Sequence, residues 1–556
     1  MTIKRGVAIV SIALGSAVVS AQQNAPPTRL DLRIGVSTSL GTSFTFIATN
    51  PDGSLPPIEA AKVPPQVQLS FRRLAGSVPI ANGQIRLFRL DPDNLQKTLR
   101  PPDAADKRLF VELPLFDGSS LNIERRGIET RARPEAYGWT GTVIAPPGAK
   151  QPAAAGAPVV LTVSDSQLYG AIGLPTGPVR IRPVGGAFHV LYAVDVSRLP
   201  PDHGPKKAYA KQKTSTVKAG SLKSFRSYVV QVKQGKKKPK KKKPAAADAP
   251  SAPTSVCSAT GSSDGTQPVC IAVAVAYTQP AAAALGAADP DPVLAPGDTI
   301  YTHHAQNLFD QTNDYFKASG IKVHLALASA LPVTIQETLK AGQTYGDLAD
   351  HLLADAMPSE LRCFWNSTGA SSLALIGELG GATNPDNFCG TTEDVSAKIT
   401  TSFPLSKLFK DPSGRPGYFG YSVINRVCAE NEYSFSHEFG HQIGFHHERA
   451  ALDPLYKGVQ IKVGGVYKDF GYGFVLLETS VRGFTIMALG NGGPDRVNRK
   501  PIFSTTDTSA KSPVPGVTQW GDTDSADNAA LAALVASEFA KRQPPSCPKN
   551  APLPGH

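Results

Sequence analysis

The chain has no cysteine before residue 257, and all six of its cysteines, Cys257, Cys270, Cys363, Cys389, Cys428 and Cys547, lie in the second half. No two of them form a CxxC pair, which removes the usual basis for a cysteine-ligated zinc site. After residue 19 no apolar run approaches the ~18 residues needed to span a bilayer, so no transmembrane segment is expected beyond the amino terminus. No repeat recurs at a fixed period. Residues 205 to 244 contain no Asp or Glu, against fourteen Lys and one Arg. Taking those fifteen cations from the formal +12 leaves −3 elsewhere, so the basic balance belongs to one segment. Apart from Phe225 and Tyr228 that segment lacks the interleaved aromatics of a stacking platform, and no nucleic-acid partner is expected.

A length of 556 residues exceeds what one hydrophobic core sustains and points to two or more domains. Residues 1–21 have the order of a secretory signal: Lys4 and Arg5, an apolar stretch over 6–19, then the small residues Ser20 and Ala21. Export is therefore expected, with a secreted product. An even cysteine count in an exported chain predicts disulfides, with their connectivity open.

Residues 22–204 carry short runs such as VQLSFRRL (67–74), IRLFRL (85–90), PVVLTV (158–163) and FHVLYAVDV (188–196), punctuated by Pro and Gly. That pattern predicts a β-rich domain. Residues 205–256, rich in Lys, Pro and Ala, read as a disordered linker: a spacer, a maturation site, or a patch for anionic surfaces. In 257–547 the periodicity changes. CIAVAVAYT (270–278) reads as a strand covered on both faces, AQNLFDQTNDYFKASG (305–320) as a helix, and IKVHLALAS (321–329) and SLALIGEL (372–379) as further strands. Strand, helix, strand implies a parallel pair and an α/β layer. Residues 548–556 form a tail.

The segment SFSHEFGHQIGFHHER (434–449) carries the chemistry. On a helix, His437 and His441 are four residues apart and project from one face, where both imidazoles can reach one zinc ion. Glu438 beside them can take a proton from a water activated by that ion. Gly444 lets the chain leave the helix and bring His447 back as a third ligand. Three protein ligands leave a position for water or substrate, the mark of a catalytic site. His446 is assigned to the cleft side or the surface.

HEFGHQIGFHH is similar, at every fixed position, to the HExxHxxGxxH pattern of metzincin zinc metallopeptidases. Met487, in GFTIMALGN (483–491), resembles the methionine of their turn beneath the metal. Over roughly 257–545 the chain looks most like bacterial reprolysin-like and peptidyl-Asp metalloendopeptidases, and VRIRPVGGAFHVLYAVDVSRLPPDH (179–203) is similar to their propeptides. The resemblance implies an α/β (α+β) metzincin-type catalytic domain with a mostly parallel sheet and a zinc-binding active-site helix, preceded by a β-rich prodomain. It implies one catalytic Zn2+, protein or peptide substrates, and a zymogen whose own propeptide is the intramolecular inhibitor. Two departures stand out: Glu448 follows the third histidine, as in astacins, yet Leu489 replaces the tyrosine astacins carry two residues after the methionine. A peptidyl-Asp likeness would place a cation in the specificity pocket, for which Arg482, Arg496, Arg499 and Lys500 lie in the right region, each with surface solvation as the plainer role. Ile502 and Phe503 are expected in a pocket wall. An edge strand aligning the substrate is expected between residues 380 and 427. The first cysteine, Cys257, lies at the junction with the mature domain, so an acidic residue or steric cover by the amino-terminal domain is as plausible a source of latency as a cysteine capping the metal. The alternative is a catalytically idle secreted binding protein that uses the basic segment on anionic surfaces.

Overall fold

The computed structural model describes residues 36–202 and 267–547, with breaks of which 400–419 is the longest. The expected signal (1–21), the linker (205–256), Cys257 and the tail (548–556) lie outside the described residues. Among the described residues no helix is long and apolar enough to cross a membrane.

The largest sheet has ten strands: β1 (Val36–Ser39), β2 (Phe44–Ile47), β3 (Ile80–Leu90), β4 (Leu109–Pro114), β5 (Ser120–Thr130), β6 (Tyr137–Ile144), β7 (Pro158–Ser164), β8 (Gln167–Leu174), β9 (Gly177–Gly185) and β10 (Phe188–Val194). Their order is β1-β4-β5-β6-β7-β8-β9-β10-β3-β2, and every neighbouring pair except β1–β4 is antiparallel. Most neighbours in this sheet are consecutive in sequence, as tight turns dictate.

A second sheet has five strands, β11 (Val269–Tyr277), β12 (Val323–Pro332), β13 (Ser372–Gly377), β14 (Gly390–Thr392) and β16 (Tyr421–Asn425), ordered β12-β11-β13-β16-β14. Three of its ladders are parallel, and the edge strand β14 runs antiparallel to β16. The long helix Ile300–Ala318 connects β11 and β12 in the chain and packs beside them. A short strand β15 (Ala397–Ile399) pairs elsewhere, with Val459–Val463.

These sheets correct the fold class expected above. The dominant sheet is a mixed, mostly antiparallel assembly of ten strands, not the mostly parallel sheet of a metzincin-type domain. The mostly parallel sheet is what the resemblance implies; the strand-helix-strand pattern reports only on a local connection, and the pair it predicts, β11 with β12, is parallel. A second correction concerns VQLSFRRL: it is helical, within Pro65–Ser77, and buries Val67, Ser70, Phe71 and Leu74. Spacings of three, one and three residues place those side chains on one helical face, which outweighs the apparent alternation.

Strand β7 shows how the two parts of the chain meet. All seven residues are buried. Val159, Leu161 and Val163 point into the core of the ten-stranded sheet. By the two-residue period, Thr162 and Ser164 point the other way. Thr162 donates to Asp310 at 2.5 Å, and Ser164 lies 2.8 Å from His303, both on the long helix. Around this contact Arg126 pairs with Asp314 at 2.5 Å, Arg131 with Asp310 at 2.5 Å, and Arg133 with Asp298.

His189 on β10 is fully buried, and its Nε2 accepts the Leu168 N–H at 3.0 Å while Nδ1 donates to the Ala187 carbonyl at 3.1 Å. That arrangement suits only the neutral ring, and burial lowers its pKa from 6.5 to about 4. A depressed histidine stabilises the fold above its unfolded pKa, and that stability is lost as pH falls toward the folded value. Acidification from pH 6.5 to 4 is expected to remove about 3 kcal/mol through this residue alone. Comparing urea unfolding of wild type and His189→Gln across that range checks it: the variant should show the shallower pH slope, and equal slopes would refute the assignment.

Candidate metal centre

Strand β16 leads through a short helix, Arg426–Asn431, into the helix Ser434–Gln442, all nine residues of which are buried. Its spacing puts His437 and His441 on one face. Gly444 then adopts φ 98°, a left-handed conformation that suits glycine. The Phe445 N–H donates back to the Gly440 carbonyl at 2.9 Å, closing the turn that returns His447. The Nε2 atoms of His437, His441 and His447 lie 3.0 to 3.1 Å from one another. Among the described residues these three histidines form one of two groups whose ligand atoms could share a cation.

Their hydrogen bonds define what they can hold. His437 Nδ1 lies 2.8 Å from the Ile486 carbonyl, and His441 Nδ1 lies 2.8 Å from the Phe445 carbonyl. A carbonyl only accepts, so each Nδ1 carries the proton and each Nε2 presents a lone pair. Two such lone pairs at 3.1 Å cannot hydrogen-bond each other. They suit a cation between them, and bonds of about 2.0–2.1 Å to a tetrahedral zinc put ligand nitrogens roughly 3.3 Å apart. The donor set therefore fits zinc.

Met487 is buried beneath the helix, where a Cβ on Gly440 would lie 2.5 Å from its Sδ. Glycine at 440 is what admits the methionine. Glu448 accepts the Leu489 N–H at 2.7 Å, tying the residue after the third histidine to the methionine turn. Ile502 and Phe503 are buried, and Phe503 stacks on Phe316 and meets Phe445 edge-on, so it is core beside the site.

Glu438 is buried and accepts the Thr392 hydroxyl at 2.7 Å. A Cβ on Gly390 would lie 2.6 Å from the Glu438 side chain. Strand β14 thus runs directly beside the carboxylate, inside the window where an edge strand was expected. Cys389, just before it, is bridged to Cys428, and Cys363 is bridged to Cys547. Cys270 is also disulfide-bonded.

Three residues for which a surface position was one reading are placed as follows. His446 is buried, its backbone paired with Gly471 and Gly473 around Tyr472, and is not at the surface. Arg499 is completely buried instead of solvated. Its guanidinium donates to Glu432 at 2.9 Å, to the Ala488 carbonyl at 3.1 Å and to both carboxylate oxygens of Asp202, one at 3.1 Å. Burial opposes its charge, but Asp202 and Glu432 hold its pKa above the usual arginine value. Lys500 is half-buried, and that burial lowers its pKa. Arg496 lies outside the described residues, and Arg482 falls on a short strand, Arg482–Phe484. Of the second group of potential ligands, Asp202, Cys389 and Glu432, the two carboxylates both bond to Arg499, and the sulfur is already in a disulfide. An arginine fills the place a cation would take. Thr392 and Asp202 were not singled out by sequence reasoning, since nothing local marks them.

No protein-family model matches the chain, and no curated protein does at sequence level. Several solved structures are similar, these two among them. One is described as the structure of a chaperone-substrate complex, 16% identical with a TM-score of 0.29, covering 49% of this chain and 35% of that one. The other is metalloproteinase-II from Bacteroides fragilis, 8% identical with a TM-score of 0.30, covering 66% of this chain and 89% of that one. The chain thus spans about a third of the first structure's length.

One zinc ion per chain is expected after dialysis of the full chain against zinc and then against metal-free buffer. His441→Ala should weaken zinc binding by more than the roughly 10- to 100-fold that loss of an orienting partner costs. Elemental analysis with chelator competition decides it, and undiminished affinity in that variant would sink the ligand set.

Proposed function

We propose that this chain is a secreted zinc endopeptidase of the metzincin type, made as a zymogen. The observation that carries this reading is the convergence of three histidine nitrogens beside the buried carboxylate of Glu438 and the edge strand β14. A zinc ion held by His437, His441 and His447 would supply Lewis-acid polarisation of the scissile carbonyl and acidify water.

The remaining work falls to the chain. Glu438, held by the Thr392 hydroxyl, takes a proton from the attacking water as the water oxygen bonds to the carbonyl carbon. When the C–N bond breaks, the same carboxyl returns the proton to the leaving amine. The outer side of β14 offers main-chain groups to align an extended peptide. The signal over 1–21 would export the chain, residues 22–204 would act as the inhibitory propeptide, and the Lys-rich segment 205–256 would be the region cut on maturation. Protein and peptide substrates are the partners this reading requires. The alternative, an idle binding protein, leaves no purpose for a carboxylate positioned beside three convergent histidines.

Replacing Glu438 with Gln should lower peptide-bond hydrolysis by about 10²- to 10⁴-fold while leaving zinc content unchanged. Mass-spectrometric mapping of fragments from an unfolded protein, after proteolytic cutting of the Lys-rich segment, reads the result. Equal fragment yields from wild type and variant would rule out Glu438 as the base.

A further inference from the structure

Resting on the peptidase reading, we propose that the amino-terminal part closes this cleft with a carboxylate latch, Asp202 on Arg499. The latch holds Pro200–Asp202 on the edge of β14 that would otherwise align substrate.

The segment reaches the cleft directly. From β10 the chain passes through a single turn, Val196–Arg198, and then meets the second sheet. The Cys389 N–H donates to the Pro201 carbonyl at 2.8 Å and the Gly390 N–H to the Asp202 carbonyl at 3.3 Å. The Pro200 carbonyl oxygen lies 3.1 Å from Cys389 Sγ, a packing contact because the disulfide sulfur has no proton to give. Gly390 is the residue that abuts Glu438. The segment is thus anchored one residue from the proposed base.

Its composition suits an occupant that is not turned over. Pro200 and Pro201 have no N–H, so the segment accepts hydrogen bonds from the edge through its carbonyls and those two residues return none. What fixes it is the side chain of Asp202, buried against Arg499. Arg499 also bonds to the Ala488 carbonyl, next to Met487, and to Glu432, two residues before the histidine helix. One guanidinium therefore ties the segment to both walls of the site. Among the described residues Asp202 groups with Cys389 and Glu432 and not with the three histidines, which puts the closure at the peptide-aligning edge.

The ion pairs along the long helix, Arg126 to Asp314 and Arg131 to Asp310, do not involve this segment. The latch can open while the two parts of the chain remain joined.

The test uses the zinc-loaded full chain, wild type against Asp202→Asn, which keeps the shape and removes the charge. Two quantities are read: amide hydrogen exchange at Cys389 and Gly390, and the initial rate on an unfolded protein substrate. The variant should exchange those amides faster and cleave about tenfold faster or more. Asp202→Glu should recover part of the protection. Pro201→Gly, which loosens the segment and leaves both charges, should move both readings in the same direction and serves if the first variant does not fold. Faster exchange without hydrolysis by any form would uphold the latch and defeat the peptidase reading. Hydrolysis by wild type and both variants at equal rates, with unchanged exchange, would overturn the latch and leave the peptidase reading standing.

Discussion

Two imidazoles that each donate Nδ1–H to a backbone carbonyl have only lone pairs left to turn toward each other, and the local structure around residues 434–489 follows from that constraint. The carbonyls are those of Ile486 and Phe445, so the rings are oriented by the methionine turn and by the chain reversal after Gly444. Gly440 must lack a side chain for Met487 to lie against the helix, and Glu448 must reach Leu489 for the turn to stay in place. Every one of these contacts sets the direction of a ring nitrogen. Removing an orienting carbonyl would free a tautomer, and a protonated Nε2 cannot hold a metal.

A second set of buried charges fixes how the ten-stranded sheet meets the rest of the chain. Glu430 sits between Arg182, on β9, at 2.5 Å and Arg426 at 2.9 Å, with His304 at 3.2 Å. Burial raises the cost of its charge, yet the two guanidiniums hold its carboxyl far below the ordinary range. Burial likewise lowers the pKa of His304, which keeps the ring a poor cation beside them. Networks of this kind add little net stability over an apolar contact, but losing one member strands the others at a cost of about 3–5 kcal/mol. Their effect is registration. Arg182 and Asp202 are twenty residues apart on one chain; Arg182 bonds to Glu430, and Asp202 to Arg499, which itself bonds to Glu432, so both are tied to the stretch that leads into the histidine helix.

The chemistry was legible because it is local. Four-residue spacing, a glycine exit and an adjacent carboxylate lie within eleven residues, and the structure brings the three histidine nitrogens together. The apolar runs that became β11, β12 and β13 could also be read, since each is a continuous stretch bounded by turn residues. Strands of the dominant sheet such as β3, β7 and β10 could be read as well, but not its full order: β10 pairs with β3 across about a hundred residues, and period alone gives no partner. VQLSFRRL misled because eight residues can satisfy either period, and packing against Val63 and Val78 decides for helix. Arg499 looked like one of several surface cations. Its carboxylate partner is 297 positions away, a separation no local pattern encodes.

The edge strand shows why rigidity on one side matters for exchange on the other. Strand β14 has only three residues, too short to persist on ladder hydrogen bonds alone. It is held by β16 and by the Cys389–Cys428 bridge, whose sequence separation is 39. Closing a loop of that size restricts the unfolded chain by about 4 kcal/mol in the chain-entropy account. The strand is therefore fixed by bonds that face inward, toward β16 and the short helix that follows it. The contacts on its outer side, the amides of Cys389 and Gly390 and the carboxylate on Arg499, can then be exchanged for those of another extended chain without loss of the strand itself. A cleft of this construction separates what holds the Glu438 carboxylate in place from what occupies the space in front of it.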